Sequence, residues 1–468
     1  MFLRKNHILA IKALLIVILF LSQETLKSQN GYTIELNISG KTDSTFILAN
    51  FFGDKFHIVD SSSKKNNTIE FSGQKELSGG VYIILNSKKE KLLECLIDKD
   101  QTFTIVSDST FAPSQTSTIN NAENILFNKH LIYTNHTYEM IIDARKQIEN
   151  QKNNQVVLDS MNQKITSLIS ALIDYRKSEI SSHSGTFYSV LLKAMLDVEI
   201  PDAIKQQPDL AYIYMRNHFW DNYDLSDSRL LRTPLLPGKI ETYLDKLTPP
   251  VPDSVIHSVE KMILLTKENK EVRDYLIWQF TSKYQNPKIM GLDKVFVYLA
   301  DNYFSKFEIA NTTPTIKAKI IEKSDQIRKL LIGVKSPDLW LTDTTGTYRS
   351  FTEIKADYTV LFFWDQECSI CKKDLNELKK LYATKKFNLE VYAICANEDL
   401  EGWKYFIKAN QLSWLNVNGT KSITPDFHDL YDIYTTPVIY ILDKEKKIIA
   451  KRINVNQIPQ VIQMNDSQ

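Results

Sequence analysis

Two cysteines, Cys368 and Cys371, are separated by two residues in the segment WDQECSICKKD and offer the clearest chemistry in the sequence. Such a pair can form a structural disulfide, supply half of a metal site, or exchange electrons with other thiols. A structural zinc ion needs four ligands, but there is no second Cys-x-x-Cys pair, and no closely spaced histidines follow the cysteines. A structural bridge across so small a loop would constrain the unfolded chain little. The spacing therefore favours a redox pair.

The cysteine pair lies where a predicted strand runs into a predicted helix. Residues 358–364 form an unbroken apolar run, which is typical of a strand buried on both faces of an α/β sheet. Leucines recur at helical spacing after the cysteines, so Cys368 should lie at a helix N-terminus. Free N–H groups and the positive end of the helix dipole stabilise a thiolate there. Cys368 is therefore the predicted nucleophile, and Cys371 the thiol that resolves the mixed disulfide.

The segments around the pair predict a complete α/β domain over residues 333–468. A hairpin with its turn at residues 344–346 precedes the buried strand. A strand that ends at Cys395, a helix and a final pair of strands follow the cysteine helix. The order β-β-β-α-β-α-β-β predicts a thioredoxin-like sheet. Cys395 should be a buried bystander, because free cysteine packs as a small apolar side chain.

Two regions with different patterns of apolar and polar residues precede this α/β domain. Residues 30–112 alternate apolar and polar side chains in short runs between turn residues, which predicts a small antiparallel sheet or β-sandwich that buries Cys95. Residues 118–331 contain long amphipathic stretches broken by proline clusters, which predicts an all-α domain of roughly eight or more helices. The aromatic segment around Trp220 fits packing between these helices better than it fits a binding surface.

The first residues, 1–28, predict a signal peptide. Basic residues precede an apolar run over residues 13–21, and so short a helix cannot span a hydrocarbon core of about 30 Å. An uncleaved membrane anchor that also uses residues 8–11 is the alternative. In both cases the bulk of the protein should lie outside the cytoplasm, where paired thiols are oxidised unless something keeps them reduced.

Composition excludes several classes of partner. The chain has 57 basic and 56 acidic residues and a net charge of +1, so it has no electrostatic basis for binding nucleic acid or an anionic surface. With four cysteines in 468 residues, the chain is not held together by disulfides. We expect no cofactor and no metal ion.

From residue 333 onward the sequence resembles thioredoxin-fold domains of the TlpA/ResA type, which are membrane-facing thiol–disulfide oxidoreductases. The resemblance rests on the motifs SPDLWLTDTTG, FFWDQECSICKKD and YTTPVIYILD, in that order. The Pro-x-x-x-Thr-x-x-Cys arrangement of peroxiredoxins does not follow the apolar strand. The whole chain also resembles a secreted architecture of the Bacteroidota, in which uncharacterised β-rich and helical domains precede a TlpA-like domain. A periplasmic location is therefore implied.

The resemblance implies roles for four further residues. Thr436 and Pro437 would form a cis peptide bond that faces the cysteines, and the backbone of Thr436 would pair with an extended substrate. Trp364 would join them in binding substrate. Asp374 matches an acid, usually glutamate in relatives, that would exchange a proton with Cys371. A surface acid favoured by the helix dipole is the alternative for Asp374.

The charges near the cysteines favour a reductant of protein disulfides over a strong oxidant. The dipeptide Ser369–Ile370 contains no histidine to stabilise the thiolate. The negative charges of Asp365 and Glu367 oppose the thiolate, whereas the positive charges of Lys372 and Lys373 favour it. Expected partners are protein thiols and disulfides, and a membrane electron donor. The alternative is a cell-envelope interaction protein that uses the thioredoxin-like domain for docking. A disulfide isomerase is a weaker third hypothesis, since it would need a dimer with an open cleft.

Overall fold

The computed structural model describes residues 31–40, 43–65 and 67–467. The chain divides into two compact units. The first comprises the residues up to Leu247 together with Leu265–Val272, and the second comprises Thr248–Leu264 together with Arg273–Gln468. The predicted signal peptide lies outside the described residues. Within the described ranges, no helix is both long enough and apolar enough to cross a bilayer.

Eight strands build the β-rich region of the first unit. They are β1 (Tyr32–Ser39), β2 (Thr45–Phe52), β3 (Lys55–Ser63), β4 (Thr68–Gly73), β5 (Gly80–Asn86), β6 (Lys91–Ile97), β7 (Thr102–Asp108) and β8 (Ser117–Ile119). The strands form two four-stranded sheets, with the orders β4-β1-β7-β8 and β3-β2-β5-β6. Strands β1 and β7 run parallel, so the predicted antiparallel pairing was wrong for this one pair of neighbours.

Alternating side chains give the two sheets a common core. Ile34, Leu36 and Ile38 on β1 are buried, as their spacing predicted, and they pack with side chains from both sheets. Cys95 on β6 lies in the same core, as predicted. Burial raises the pKa of the Cys95 thiol to about 12. This cysteine is therefore a packing residue that stays protonated near neutral pH.

Helices follow the sandwich in the first unit. They are α1 (Ala122–Asn150), α2 (Gln155–Ser182), α3 (Phe187–Ala194), α4 (Asp202–Lys205), α5 (Pro208–His218), α6 (Ser228–Leu231) and α7 (Leu235–Glu241), which continues into a π-helical turn, Thr242–Lys246. The buried side chain of Asn124 on α1 bonds both backbone groups of Leu96 on β6, at 2.7 and 2.8 Å, and so ties the first helix to the sandwich. Trp220 is buried against the rings of Tyr223 and Tyr243, which agrees with its predicted role in packing.

Four further helices belong mainly to the second unit. They are α8 (Pro252–Leu265), α9 (Lys270–Gln285), α10 (Asp293–Leu299) and α11 (Pro314–Arg328), with a π-helical turn at Ala300–Phe304 after α10. Pro314 begins α11 behind the capping hydroxyl of Thr313, because proline's missing N–H costs nothing at a helix start. The turn between α8 and α9 clusters with the first unit. The boundary between the compact units therefore falls inside the predicted helical domain, and the predicted domain limits stay predictions.

The rest of the second unit is a thioredoxin-like domain, as predicted. Its strands are β9 (Trp340–Asp343), β10 (Tyr348–Ser350), β11 (Tyr358–Trp364), β12 (Leu389–Cys395), β13 (Leu415–Ser422), β14 (Val438–Leu442) and β15 (Ile448–Lys451). Its helices are α12 (Ser369–Ala383), α13 (Leu400–Asn410), α14 (Phe427–Tyr431) and α15 (Ile458–Asp466). The strands form one sheet in the order β10-β9-β13-β12-β11-β14-β15. Its centre is parallel, and β14 pairs antiparallel with β11.

The predicted order of elements in this domain was wrong at β13, α14 and α15, which it omitted. The sequence of β13, LNVNGTKS, is rich in polar residues and carries a glycine, so it lacks the pattern of a buried strand. The strand forms because β12 and β9 flank it and supply its backbone partners. Tertiary pairing therefore outweighs local preference in this segment.

Strand β11 lies inside the sheet, between β12 and β14, and its carboxyl end leads into the loop that carries the cysteines. Every residue of β11 is buried, as its unbroken apolar run predicted. Val360, Phe362 and Trp364 face one core cluster, and Leu361 and Phe363 face the other. This two-sided packing fixes the carboxyl end of the strand, where the active-site loop begins.

Candidate active site

The two cysteines occupy the start of α12. Cys368 is the capping residue of the helix, and its Sγ accepts a hydrogen bond from the backbone N–H of Cys371 at 3.2 Å. Both residues are free thiols. Cys368 is partly exposed, whereas Cys371 has no exposed surface. The predicted location of Cys368 at a helix N-terminus is confirmed, and of the two sulfurs it is the one that a substrate can reach.

The loop before α12 is shaped by Asp365. Its carboxylate accepts hydrogen bonds from the backbone N–H of Glu367 at 2.7 Å and from the side-chain amide of Asn397 at 3.1 Å. Its backbone carbonyl accepts the N–H of Cys368 at 3.2 Å. These contacts are those of an aspartate that stabilises a tight turn. Sequence reasoning treated Asp365 only as a negative charge and missed this role, although aspartate just after a strand is a turn signal.

The two thiols differ in burial, and this difference affects how readily each one loses its proton. Desolvation raises the pKa of Cys371, and its contact with the Cys368 sulfur raises it further. A buried thiol with a raised pKa stays protonated until a base accepts its proton. At Cys368, the amide N–H of Cys371 and the end of the helix dipole both favour negative charge on the sulfur. The geometry therefore suits Cys368 to attack and Cys371 to react second.

A second segment brings Thr436 and Pro437 to the cysteines. The peptide bond between them is cis, as the resemblance implied. The backbone oxygen of Thr436 lies 3.8 Å from the Sγ of Cys368, and both residues are partly exposed. Exposed backbone beside the nucleophile can pair with an extended chain as an added strand would. Substrate binding by these two residues stays a prediction.

Asp374 lies three residues after Cys371 on α12. Side chains three residues apart share one side of a helix, so the carboxyl group is directed to the flank that carries Cys371. Asp374 is partly buried, and desolvation raises its pKa, while the nearby charge of Lys373 acts in the opposite direction. A carboxyl group with a raised pKa holds its proton more tightly, which makes it a better proton acceptor for a neighbouring thiol. Its predicted role toward Cys371 stays a prediction.

The burial of the Trp364 side chain contradicts the predicted role of this residue in substrate binding. The side chain has no exposed surface, and it packs inside the core of the domain. Its ring lies 5.3 Å from that of Phe406 and 6.5 Å from that of Phe362, measured between centroids. The reason is the pleat of β11, which turns the last side chain of the strand inward. Trp364 therefore packs in the core beneath the active-site cysteines, and its side chain offers no surface for a substrate to contact.

Cys395 is a buried bystander, as predicted. It lies opposite Trp364 across the β11–β12 pair and has no exposed surface. Burial raises the pKa of its thiol to about 11, and its Sγ contacts the side-chain oxygen of Gln366 at 3.8 Å. Gln366, also buried, donates to the backbone oxygen of Asp399 at 3.3 Å. Sequence reasoning missed this glutamine, since no local pattern predicts a buried amide that joins two loops.

The described residues contain no group of three or more histidine, cysteine, aspartate or glutamate side chains that could hold a metal ion.

Three family models match successive parts of the chain. Residues 32–125 match a domain of unknown function, DUF4369, and residues 145–329 match a second one, DUF5106. Residues 332–451 match the AhpC/TSA family. The matched ranges fall within the β-rich region and its first helix, the helical region, and the thioredoxin-like domain.

Curated relatives match the thioredoxin-like domain. The thiol–disulfide oxidoreductase ResA of Bacillus cereus (strain ZK) is 28% identical over 128 residues, which cover 27% of this chain and 71% of that protein. ResA of Bacillus thuringiensis subsp. konkukian (strain 97-27) is 26% identical over 127 residues, which cover 26% of this chain and 70% of that protein.

A solved structure is also similar to this part of the chain. It is a domain of a possible thiol-disulfide isomerase from Cytophaga hutchinsonii ATCC 33406, 42% identical, which covers 29% of this chain and 95% of that chain, with a TM-score of 0.28. The family match over residues 332–451 and the similarity to ResA coincide with the fold and with the cysteine geometry. The C-terminal domain of this chain is a thioredoxin-like domain that is similar to thiol–disulfide oxidoreductases.

Proposed function

We propose that this protein is a periplasmic thiol–disulfide oxidoreductase that reduces disulfides of other proteins through Cys368 and Cys371. The observation that carries the proposal is the asymmetry of the pair. One sulfur is partly exposed beside the backbone oxygen of Thr436, and the other is buried behind it. A reaction through a mixed disulfide needs this arrangement, because the substrate must meet one sulfur first.

In the first step, the thiolate of Cys368 attacks one sulfur of a substrate disulfide. The substrate S–S bond breaks, a bond forms between Cys368 and the substrate, and the other substrate sulfur leaves as a thiolate that takes up a proton. The N–H of Cys371 stabilises the attacking thiolate through its hydrogen bond to Sγ. The backbone of Thr436 pairs with the extended substrate and aligns its disulfide with Cys368.

In the second step, Cys371 loses its proton and attacks the sulfur of Cys368. The mixed disulfide breaks, a Cys368–Cys371 disulfide forms, and the second substrate sulfur leaves with a proton. Two electrons have then passed from the protein to the substrate. Because burial raises the pKa of Cys371, this step needs a base, and Asp374 is the proposed acceptor. A thiol donor of electrons must then reduce the new disulfide before another cycle.

The proposed direction and location support each other. The predicted signal peptide would export the chain to a compartment where thiols become oxidised, so a reductant there needs a dedicated donor. A membrane protein that carries electrons from the cytoplasm is the class of partner that meets this need. The proposed substrates are exported proteins whose cysteines must be kept reduced.

The test is the equilibrium of the pair in buffers of known potential. The mature protein is equilibrated with glutathione or dithiothreitol, and its free thiols are trapped and counted. A reductant should show a potential near that of thioredoxin, about −270 mV, or lower. A value above about −150 mV would make the protein an oxidant and reject the proposed direction.

A turnover assay completes the test. The protein should accelerate the reduction of insulin disulfides by dithiothreitol, and a variant with both Cys368 and Cys371 changed to alanine should not. Cys95→Ala serves as the matched control, because that thiol is buried in the first unit. If the double variant keeps the biological function of the wild type, the thioredoxin-like domain is a docking module and the proposal fails. Signal-peptide cleavage is checked by the mass of the exported chain.

A further inference from the structure

The segment that carries Thr436 is anchored at its start by Asp432. This residue directly follows α14 and adopts a left-handed backbone conformation, with φ of 53°. It is 7% exposed, whereas Tyr434 and Thr435, which follow it, are exposed. At the other end, Val438 enters the sheet opposite Phe363. The segment 432–437, here called the Thr436 loop, is thus held at both ends and open to solvent in the middle.

Lys323 on α11 contacts the Thr436 loop twice. Its Nζ lies 2.5 Å from a carboxylate oxygen of Asp432, and it also lies 6.0 Å from the centre of the Tyr434 ring. One turn further along α11, the side-chain amide of Gln326 donates to the backbone oxygen of Asp429, just before the loop. The last helix before the thioredoxin-like domain therefore holds the loop from outside that domain.

Asp432 has a second cationic partner, Arg452, but the two partners are not equivalent. Arg452 donates to the backbone oxygen of Asp432 at 2.6 Å and to its carboxylate at 3.1 Å. Its side chain is about half exposed, whereas that of Lys323 is largely buried. Interactions between buried charges are screened less by water than those of exposed charges. Lys323 is therefore the cationic partner of Asp432 whose charge is less screened by water.

We infer that Lys323 is a positioning residue for substrate, which holds the Thr436 loop so that the backbone of Thr436 stays beside Cys368. The inference rests on the proposed function, because it concerns how that function's substrate docks. Between Asp432 and the Thr436 oxygen, 3.8 Å from the Cys368 sulfur, lie only three residues. A shift at the anchor is passed on over this short length to the site where a substrate chain would pair.

The role of Lys323 concerns docking and not the sulfur chemistry. Lys323 contacts neither cysteine, and the hydrogen bond to the Cys368 sulfur comes from α12. A small disulfide reagent needs only an accessible thiolate, whereas a protein disulfide must also pair along the loop. Loss of Lys323 should therefore slow the reaction with proteins and leave the reaction with a small reagent unchanged.

The experiment compares Lys323→Met with two matched variants in the full mature chain. Lys323→Arg keeps the charge, and Lys319→Met removes an exposed lysine one turn earlier on α11. Turnover of insulin is measured with excess dithiothreitol as the electron donor, and the reaction of prereduced protein with dithionitrobenzoate is measured without any other thiol. Both rates are followed over a range of substrate concentrations. For Lys323→Met we expect KM for insulin to rise about tenfold, because small displacements of positioning groups have effects of this size or larger. Its kcat and its rate with dithionitrobenzoate should stay within about twofold of wild type.

The two matched variants define the outcome. Lys323→Arg should restore KM for insulin, and Lys319→Met should not change it. An unchanged KM in Lys323→Met, or an equal loss with both disulfides, would overturn the inference. If Lys323→Met is too unstable to assay, Lys323→Gln, which keeps a polar side chain but removes the charge that contacts Asp432, should raise KM for insulin in the same way, and an unchanged KM would overturn the inference.

Hydrogen exchange separates failure of the inference from failure of the proposed function. The backbone amides of residues 433–436 should exchange about tenfold faster in Lys323→Met than in wild type, since a lost anchor lowers the cost of local opening. If wild type reduces neither disulfide, the proposed function fails, while faster exchange would still support the anchor. Unchanged exchange together with unchanged KM would reject the role of Lys323.

Discussion

The backbone amide of Cys371 donates a hydrogen bond to the Sγ of Cys368 across 3.2 Å, so the buried cysteine supports charge on the partly exposed one. The same burial raises the pKa of the Cys371 thiol. One turn of helix thus gives two adjacent cysteines different environments. The order of their reactions follows from those environments and not from the motif alone.

The order of reaction predicts which single variant traps substrate. Cys371→Ser keeps the attacking thiol but cannot resolve the mixed disulfide, so it should accumulate covalent complexes that dithiothreitol releases. Cys368→Ser should form none. Both should lose turnover by about a thousandfold or more, which corresponds to about 4 kcal/mol of activation free energy. The measurement is non-reducing electrophoresis with mass spectrometry of the trapped species, and complexes on Cys368→Ser would contradict the assignment.

Selective alkylation follows from the burial of three of the four thiols. Burial raises the pKa of Cys95 to about 12 and of Cys395 to about 11, and it raises that of Cys371 as well. Each pKa unit above the pH lowers the thiolate fraction tenfold, so at pH 8 these three thiols should react with iodoacetamide at least about a hundredfold more slowly in the native protein than in the unfolded chain. Cys368 is partly exposed and should be modified first.

The alkylated positions are read by peptide mass spectrometry of the reduced native protein. Unfolding in guanidinium should make all four cysteines react at similar rates, which serves as the control. Rapid modification of Cys395 in the native state would show that the loop around it opens.

Asp374→Asn should remove a pH dependence from the step in which Cys371 attacks the mixed disulfide. In wild type, resolution of the mixed disulfide should speed up as the pH rises through the raised pKa of Asp374, because only the carboxylate accepts a proton. Asparagine cannot accept it, so the inflection should disappear, and the rate at neutral pH should fall by about a hundredfold. The measurement is the rate of thiol release in single turnover over a range of pH, with Asp374→Glu as the conservative control.

Asp374→Asn should slow the reaction without lowering the stability of the folded protein. The pKa of Asp374 is raised by folding, so the folded state binds the proton more tightly than the unfolded chain. Stability then falls as the pH rises from the unfolded pKa to the folded pKa, and the ionised group is a cost above that range. Asp374→Asn should therefore unfold at the same or a slightly higher temperature near neutral pH. A lower unfolding temperature would show that the lost rate is a folding defect.

Trp364→Phe tests the corrected role of the buried tryptophan. The side chain fills the core next to β11, so the smaller ring should lower the free energy of unfolding by about 1–3 kcal/mol. KM for a protein disulfide should stay within about twofold in the folded variant, because Trp364 has no exposed surface. Denaturant unfolding and insulin reduction measure the two effects. A raised KM with unchanged stability would return Trp364 to the substrate site.

Much of the thioredoxin-like domain could be predicted from local pattern. The apolar run of β11 and the leucines of α12 each carry a periodicity that burial requires, and their junction places Cys368 at the helix start. The strand β13 could not be predicted in this way, because its polar residues pair only when neighbouring strands supply partners. The parallel pairing of β1 with β7 is equally non-local, since it joins the first strand to one near the end of the sandwich.

The sequence by itself determined the redox pair, its place at the end of a buried strand, and the residues that follow at helical spacing. These are local features, because each depends on the type and spacing of neighbouring side chains. Only the tertiary structure decided that Trp364 faces inward and that Lys323 reaches Asp432 from another part of the chain, and it added the distance between the Thr436 oxygen and the Cys368 sulfur to a proximity that the resemblance had implied. Those relationships join residues far apart in sequence, and burial and pairing in the folded chain create them.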